Sequence, residues 1–238
     1  MYSIDGGLNL RYSDVKSLGN LTSIGEYLDL AYTGIESLGN LTSVGGFLWL
    51  MYSDIKSLEN LTSVGGNLDL ARCENLTSLG NLTSVGGYLD LRYSDIKSLE
   101  NLTSVGGNLD LARCENLTSL GNLTSVGGYL DLRYSDIKSL ENLTSVGGNL
   151  ELKYTDIKTL GNLTSVGGNL QLRSDIKTLG NLTSVGGWLS LSGCENLTDL
   201  GNLTSVGGHL DLSRTPLSKK YTIEEIRNMV KVGGDIYL

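Results

Sequence analysis

Apolar and polar positions alternate along one short stretch, Val-Gly-Gly-x-Leu-x-Leu, which recurs through the whole chain. In Val85-Gly86-Gly87-Tyr88-Leu89-Asp90-Leu91, strand alternation places Val85, Gly87, Leu89 and Leu91 on one face. Gly86, Tyr88 and Asp90 fall on the other. One face is apolar and the other polar, the pattern of a half-buried strand. The Gly-Gly pair predicts a bend into that strand, because glycine takes backbone angles that other residues resist. Twelve copies occur, the loosest at 4–10 and 232–238.

An Asn-Leu-Thr triplet precedes most copies and sets the period. From Asn20 to Asn202 the spacings are 20, 20, 21, 20, 21, 20, 20, 19 and 21 residues. A period near 20 predicts a solenoid whose turns bury one another's apolar faces, so residues 1–238 form a single domain. Residues 61–101 and 102–142 are identical, a duplicated two-turn unit. Between strands the apolar residues fall three apart, as in Ile96, Leu99, Leu102 and Val105. That spacing suits bends or single 3₁₀ turns better than α-helix.

Two places break the template. The turn Leu172-Arg173-Ser174-Asp175-Ile176 is one residue short and lacks the tyrosine slot of its neighbours, which predicts a deformed corner without a domain boundary. After Leu212 the pattern changes. Thr222-Ile223-Glu224-Glu225 has the form of a capping box, and Ile223, Ile226, Met229 and Val230 share one helical face. Residues 216–238 therefore predict a C-terminal cap, one short helix at about 222–231 followed by a last strand. The N-terminal turn has no such cover beyond Met1 and Tyr2.

Each turn reads Leu-x-Leu-x-x-(small)-x-Ile-x-x-Leu, as from Leu89 to Leu99, or a form one residue longer with Cys in the small slot, as from Leu68 to Leu79. Both forms resemble the leucine-rich repeat family, whose motif runs Leu-x-x-Leu-x-Leu-x-x-Asn/Cys-x-(x)-Leu. The resemblance covers nearly the whole chain and is similar to the short repeats of bacterial and phage proteins. Two positions depart from it. Gly86 stands where the family has its first leucine, and Ser, Thr or Cys replaces the family's Asn. The resemblance implies a mainly β, right-handed solenoid with a parallel concave sheet of about twelve strands and an irregular return path. It implies no activity.

The formal net charge of −8 argues against nucleic acid, which wants a basic patch. No apolar run approaches the length of a membrane span, and the N-terminus does not read as a signal peptide. A cytoplasmic, membrane-free protein is the expectation. The Asn-Leu-Thr triplets match the glycosylation pattern, yet without secretion they read as repeat consensus.

The candidate chemistry is thin. Cys73, Cys114 and Cys194 share one slot. The first two lie two turns apart, at roughly 10 Å by strand spacing, too far for a disulfide. With no Cys or His cluster beside them, they read as buried small thiols. His209 is the only histidine and has no catalytic partner at a meaningful spacing. Asp29, Asp69, Asp90, Asp110, Asp131, Glu151 and Asp211 form an outward acidic ladder beside a partial basic one of Arg11, Arg92, Arg133, Lys153 and Arg173. One carboxylate per turn is too few for calcium, so the ladders read as solvated, weakly paired surface. The adjacent Thr and Ser of the return path lack the Thr-x-Thr form of ice-binding solenoids. No catalytic, cofactor or metal site is expected, and no enzyme.

The exception is Phe47-Leu48-Trp49-Leu50-Met51. With the leucines inward, Phe47, Trp49 and Met51 point out, and Tyr27 of the preceding turn neighbours Phe47. Contiguous exposed apolar groups mark interaction surfaces. The sequence thus predicts a protein-binding module whose partner docks on the concave sheet at Phe47, Trp49, Met51 and Tyr27, with Trp188 a second candidate. The alternative is a structural protein that forms a homodimer through its N-terminal end or the nearby apolar patch.

Overall fold

The computed structural model describes residues 2–238; Met1, one of the two residues expected to cover the N-terminal turn, lies outside them. The chain winds through a parallel β-solenoid with two sheets of twelve strands each. One strand per turn was expected, and there are two. A Ser-Val pair such as Ser84–Val85 joins the first sheet, the Gly-Gly pair turns the chain, and a Leu-x pair such as Leu89–Asp90 joins the second. The glycines are a corner between two walls, not the lead-in to one strand. Val85, Leu89 and Leu91 therefore reach the same core from different sides, each essentially unexposed.

The return path closes a third side. Single bridges link successive turns there, as Ser57 with Ser37 and Ser78. The three-residue spacing appears as isolated hydrogen-bonded turns, such as the Leu102 N–H to the Leu99 carbonyl at 3.0 Å. No 3₁₀-helix forms among the described residues. Ile96, Leu99, Leu102 and Val105 are all buried, which is what the spacing encoded.

The Asn-Leu-Thr consensus has a structural cause. Thr62 Oγ1 donates to the Thr42 carbonyl at 2.9 Å and Thr83 Oγ1 to the Thr62 carbonyl at 3.0 Å, a ladder that continues to Thr204. Asn101 Nδ2 donates to the Gly80 carbonyl at 2.9 Å, and Asn142 repeats the contact one unit later. The triplets thus tie each turn to the one before.

At the short turn the pairing runs on undisturbed, Leu170 between Leu150 and Leu189, so the deformation stays at the corner. The C-terminal cap holds two helices where one was expected, α1 (Pro216–Lys220) and α2 (Ile223–Met229). Thr215 caps α1 with Pro216 at its first position, and Thr222 with Glu225 forms the capping box of α2. Leu217, Ile226 and Val230 are buried beneath them. At the other end Ile4, Leu8, Leu10, Val15 and Leu18 stay partly exposed. No helix among the described residues is long and apolar enough to cross a membrane.

Candidate functional site

The Leu-x-Leu stretch expected to carry the binding face forms the second sheet. Its outward face holds three columns of side chains: Phe47 and its equivalents, then the Trp49 column, then the Met51 column. The middle column is not the solvated acidic ladder that the sequence suggested. Asp29, Asp90, Asp110 and Asp131 are buried. Each carboxylate accepts the N–H two residues on, as Asp90 Oδ1 from Arg92 at 3.0 Å and Asp110 Oδ1 from Ala112 at 3.1 Å. Asp69 and Asp211 do the same while half-buried. The aspartates clamp the corner where the strand leaves the sheet. Arg92 and Arg133 fold back onto Asp90 and Asp131, both at 2.5 Å, and screen them from water.

Trp49 breaks this column. It offers Met51 no such acceptor and stacks on Phe47 at 5.5 Å between ring centroids, with Tyr27 tilted against it at 5.9 Å. Phe47 is 43% exposed, while Tyr27, Trp49 and Met51 are half-buried. The structure thus brings Tyr27, Phe47 and Trp49 into one cluster with Met51 at its edge. Trp188 is half-buried far along the stack, in no ring contact with them.

A second aromatic array went unread in the sequence. Tyr12, Tyr32 and Tyr52 stack at 4.9 Å per step, and Tyr134 stacks on Tyr154 at 4.7 Å. Between them Arg72 lies against Tyr52 and Tyr93, and Arg113 against Tyr93 and Tyr134, at 4.3–5.9 Å. Every member from Tyr12 to Tyr154 sits at positive φ, from 56° to 61°. That backbone is unfavourable for a side-chain-bearing residue, and ring and cation–π stacking offset the cost. The available signal was the periodic Tyr-or-Arg slot after Leu-x-Leu-x.

The remaining candidates are structural. Cys73 and Cys114 are buried and free, and each thiol donates to the carbonyl of a leucine in the preceding turn at 3.0 Å. Burial pushes both thiols up to about 11, which disfavours the reactive thiolate. Cys194 makes a longer version of the contact, 3.5 Å to the Leu172 carbonyl. His209 Nδ1 accepts the Asp235 N–H at 2.8 Å. It takes the place of the asparagines that hold the next turn elsewhere, such as Asn108 below Tyr129. Among the described residues no group of three or more His, Cys, Asp or Glu is placed to hold a metal ion.

A groove of about 1310 Å³ runs along the first sheet, lined by one serine and one glycine per turn, such as Ser84 and Gly86. Its floor is bare because a Cβ on these glycines would strike the carbonyl of the turn below.

Both leucines of Leu-x-Leu are buried in turn after turn. The chain is a parallel β-solenoid of leucine-rich turns about 20 residues long. No family model matches it, and no curated protein does. Among solved structures, a leucine-rich repeat protein of Leptospira interrogans is similar at 16% identity over 97% of this chain and 95% of that one, with a TM-score of 0.26. A superposition that loose carries no functional weight, and the fold rests on the strand pairing above.

The carboxylates of the middle column predict a pH dependence. Burial raises Asp69, Asp110 and Glu151 above the ordinary carboxylate range. The folded state then binds more protons than the unfolded chain, so stability falls as pH rises through those raised values. Glu36, Asp175 and Glu225 are lowered and act in the opposite sense, but they are exposed to solvent. The urea midpoint is expected to be higher at about pH 4, the ordinary carboxylate value, than at about pH 7. Asp110→Asn, which keeps the acceptor, should shrink the difference; a lower midpoint at the acid value would contradict this account.

Proposed function

We propose that this protein is a non-enzymatic interaction module that holds a protein partner on the outward face of its second sheet. The contact is centred on Tyr27, Phe47 and Trp49. One observation carries the reading: at Trp49 the chain gives up the aspartate that clamps the neighbouring corners and places three rings together at the surface instead. An exposed aromatic cluster of this kind anchors interfaces through burial, and polar residues around it form the rim. Asp29 and Asp69 lie in register on either side of Trp49. Binding here is shape and burial, with no bond made or broken.

The test is photo-crosslinking in cells that make the protein, with benzoylphenylalanine at position 47 or, separately, at 188. The expected result is one protein adduct from position 47, lost when Trp49→Asp is added, and none from 188. The same adduct from both positions, or one that survives Trp49→Asp, would sink the proposal. Loss of binding should not reflect unfolding. Phe47→Asn, Trp49→Asp and Met51→Arg together install residues found at the same places in other turns (Asn67, Asp69, Arg92). Their urea midpoint should equal or exceed that of the native chain, since Asp at 49 restores the clamp.

A further inference from the structure

The strands Tyr2–Ile4 and Lys231–Val232 are the two free edges of the first sheet, and Ile4, Leu8 and Leu10 stay partly exposed at the first turn. A parallel stack has complementary ends, so the last turn of one copy presents what the first turn of another would pair with. In the second sheet the match is complete. The Leu210 and Leu212 N–H groups donate to the Asp235 and Tyr237 carbonyls at 2.9 and 2.8 Å, which turns the Ile236 and Leu238 N–H groups outward. At the other end Leu8 and Leu10 donate to the Tyr27 and Asp29 carbonyls, both at 2.8 Å, so the Gly7 and Asn9 carbonyls face out. A head-to-tail contact of this kind does not close on itself and grows into a fibre.

The first sheet is different. At its glycine corner each turn hangs on the one below by two N–H groups, as Gly233 on the Val206 carbonyl and Gly234 on the Gly208 carbonyl, both at 2.9 Å. The carbonyls left for a further turn are therefore those of Val232 and Gly234. Both are taken. Arg227 reaches over from α2, its Nη1 donating to the Val232 carbonyl at 3.3 Å and its Nη2 to the Gly234 carbonyl at 3.1 Å. One guanidinium stands in for the two N–H groups of the next turn. At the opposite end the obstacle is steric. In every turn stacked on another, from Gly25 to Gly233, a Cβ on the first glycine of the pair would strike the carbonyl oxygen beneath. The first described turn has Asp5 at that position, so its Cβ would meet the Gly233 carbonyl of a second copy in the same way. The opposite charges of Asp5 and Arg227 do not offset this, because an exposed ion pair contributes little.

We infer that Asp5 and Arg227 together keep the ends of this solenoid from stacking on one another. Arg227 occupies the acceptors of the last turn, and Asp5 wedges the first turn away from them. The partner shut out is a second copy of this chain. The device stands independently of the partner proposed for the Phe47 cluster.

Light scattering across the micromolar range, with negative-stain electron microscopy, reads the state of assembly. The native chain should stay monomeric, as should Asp5→Gly alone and Arg227→Ala alone, since each single variant keeps one of the two obstacles. Asp5→Gly with Arg227→Ala should form single-file rods, with a weight-average mass several-fold above the native value and rising with concentration. Asp5→Ala with Arg227→Ala should not, because the Cβ remains. A small amount of the Arg227→Ala chain should shorten the rods, since it joins by its last turn and stops growth at its first. Both positions are exposed, and circular dichroism matching the native chain checks the fold of each variant. A folded Asp5→Gly, Arg227→Ala chain that stays monomeric would overturn the inference. So would rods from the native chain, from either single variant or from the Asp5→Ala pair, or rods that the Arg227→Ala chain leaves at full length.

Discussion

Gly86→Val is expected to cost about 4 kcal/mol or more, or to leave the chain unfolded. A Cβ at this position lands on the Gly65 carbonyl oxygen, well inside van der Waals contact, and 3.0 Å from the carbonyl carbon. Both atoms are backbone, fixed because the Gly86 N–H donates to the Val64 carbonyl on one side and the Gly87 N–H to the Gly66 carbonyl on the other, and cannot swing aside as a side chain would. The same position is glycine in the turns above and below, each pressed on the carbonyl beneath. In the first described turn, with no strand paired on its outer side, the residue is Asp5. Gly6→Ala is the control, since nothing lies within 4 Å of a Cβ there. Urea denaturation of the two variants decides the matter. An unchanged midpoint for Gly86→Val would mean that the glycine corner is not sterically set.

Leu109→Ala should remove about 3 kcal/mol. Leu109 is fully buried at the middle of the stack, and a turn touches only its neighbours, so no other layer can fill the space left behind. The transition should also broaden, because a weak central layer uncouples the two halves. Leu8→Ala removes the same atoms from a partly exposed site and should cost nearer 1 kcal/mol. Equal losses in the two variants would contradict the burial gradient along the solenoid.

The period, the core columns and the capping box were legible because each rests on local repetition or local hydrogen bonding. Val85, Leu89, Ile96 and Leu99 are buried as their spacing required. The second sheet was hidden because Gly86-Gly87 fits both a bend into one strand and a corner between two. The choice depends on how closely the turns stack, which no single repeat records. The role of Asp90 was hidden for the same reason, since alternation puts it outward while Arg92 and the corner N–H bury it. For α1 the signal was present: Thr215-Pro216 is an N-cap followed by a helix-initiating proline. Of the binding candidates, Tyr27, Phe47 and Trp49 were readable as neighbours because the period aligns successive turns. Trp188 shares the Phe47 column but stands many layers away.

Size-exclusion chromatography with light scattering tests the central claim most directly. The native chain would be run beside the variant carrying Phe47→Asn, Trp49→Asp and Met51→Arg. If the cluster serves a foreign partner, both proteins elute as monomers, and only the native chain shifts when the crosslinked partner is added. A native dimer that becomes a monomer in the variant would assign the cluster to self-association and contradict the account.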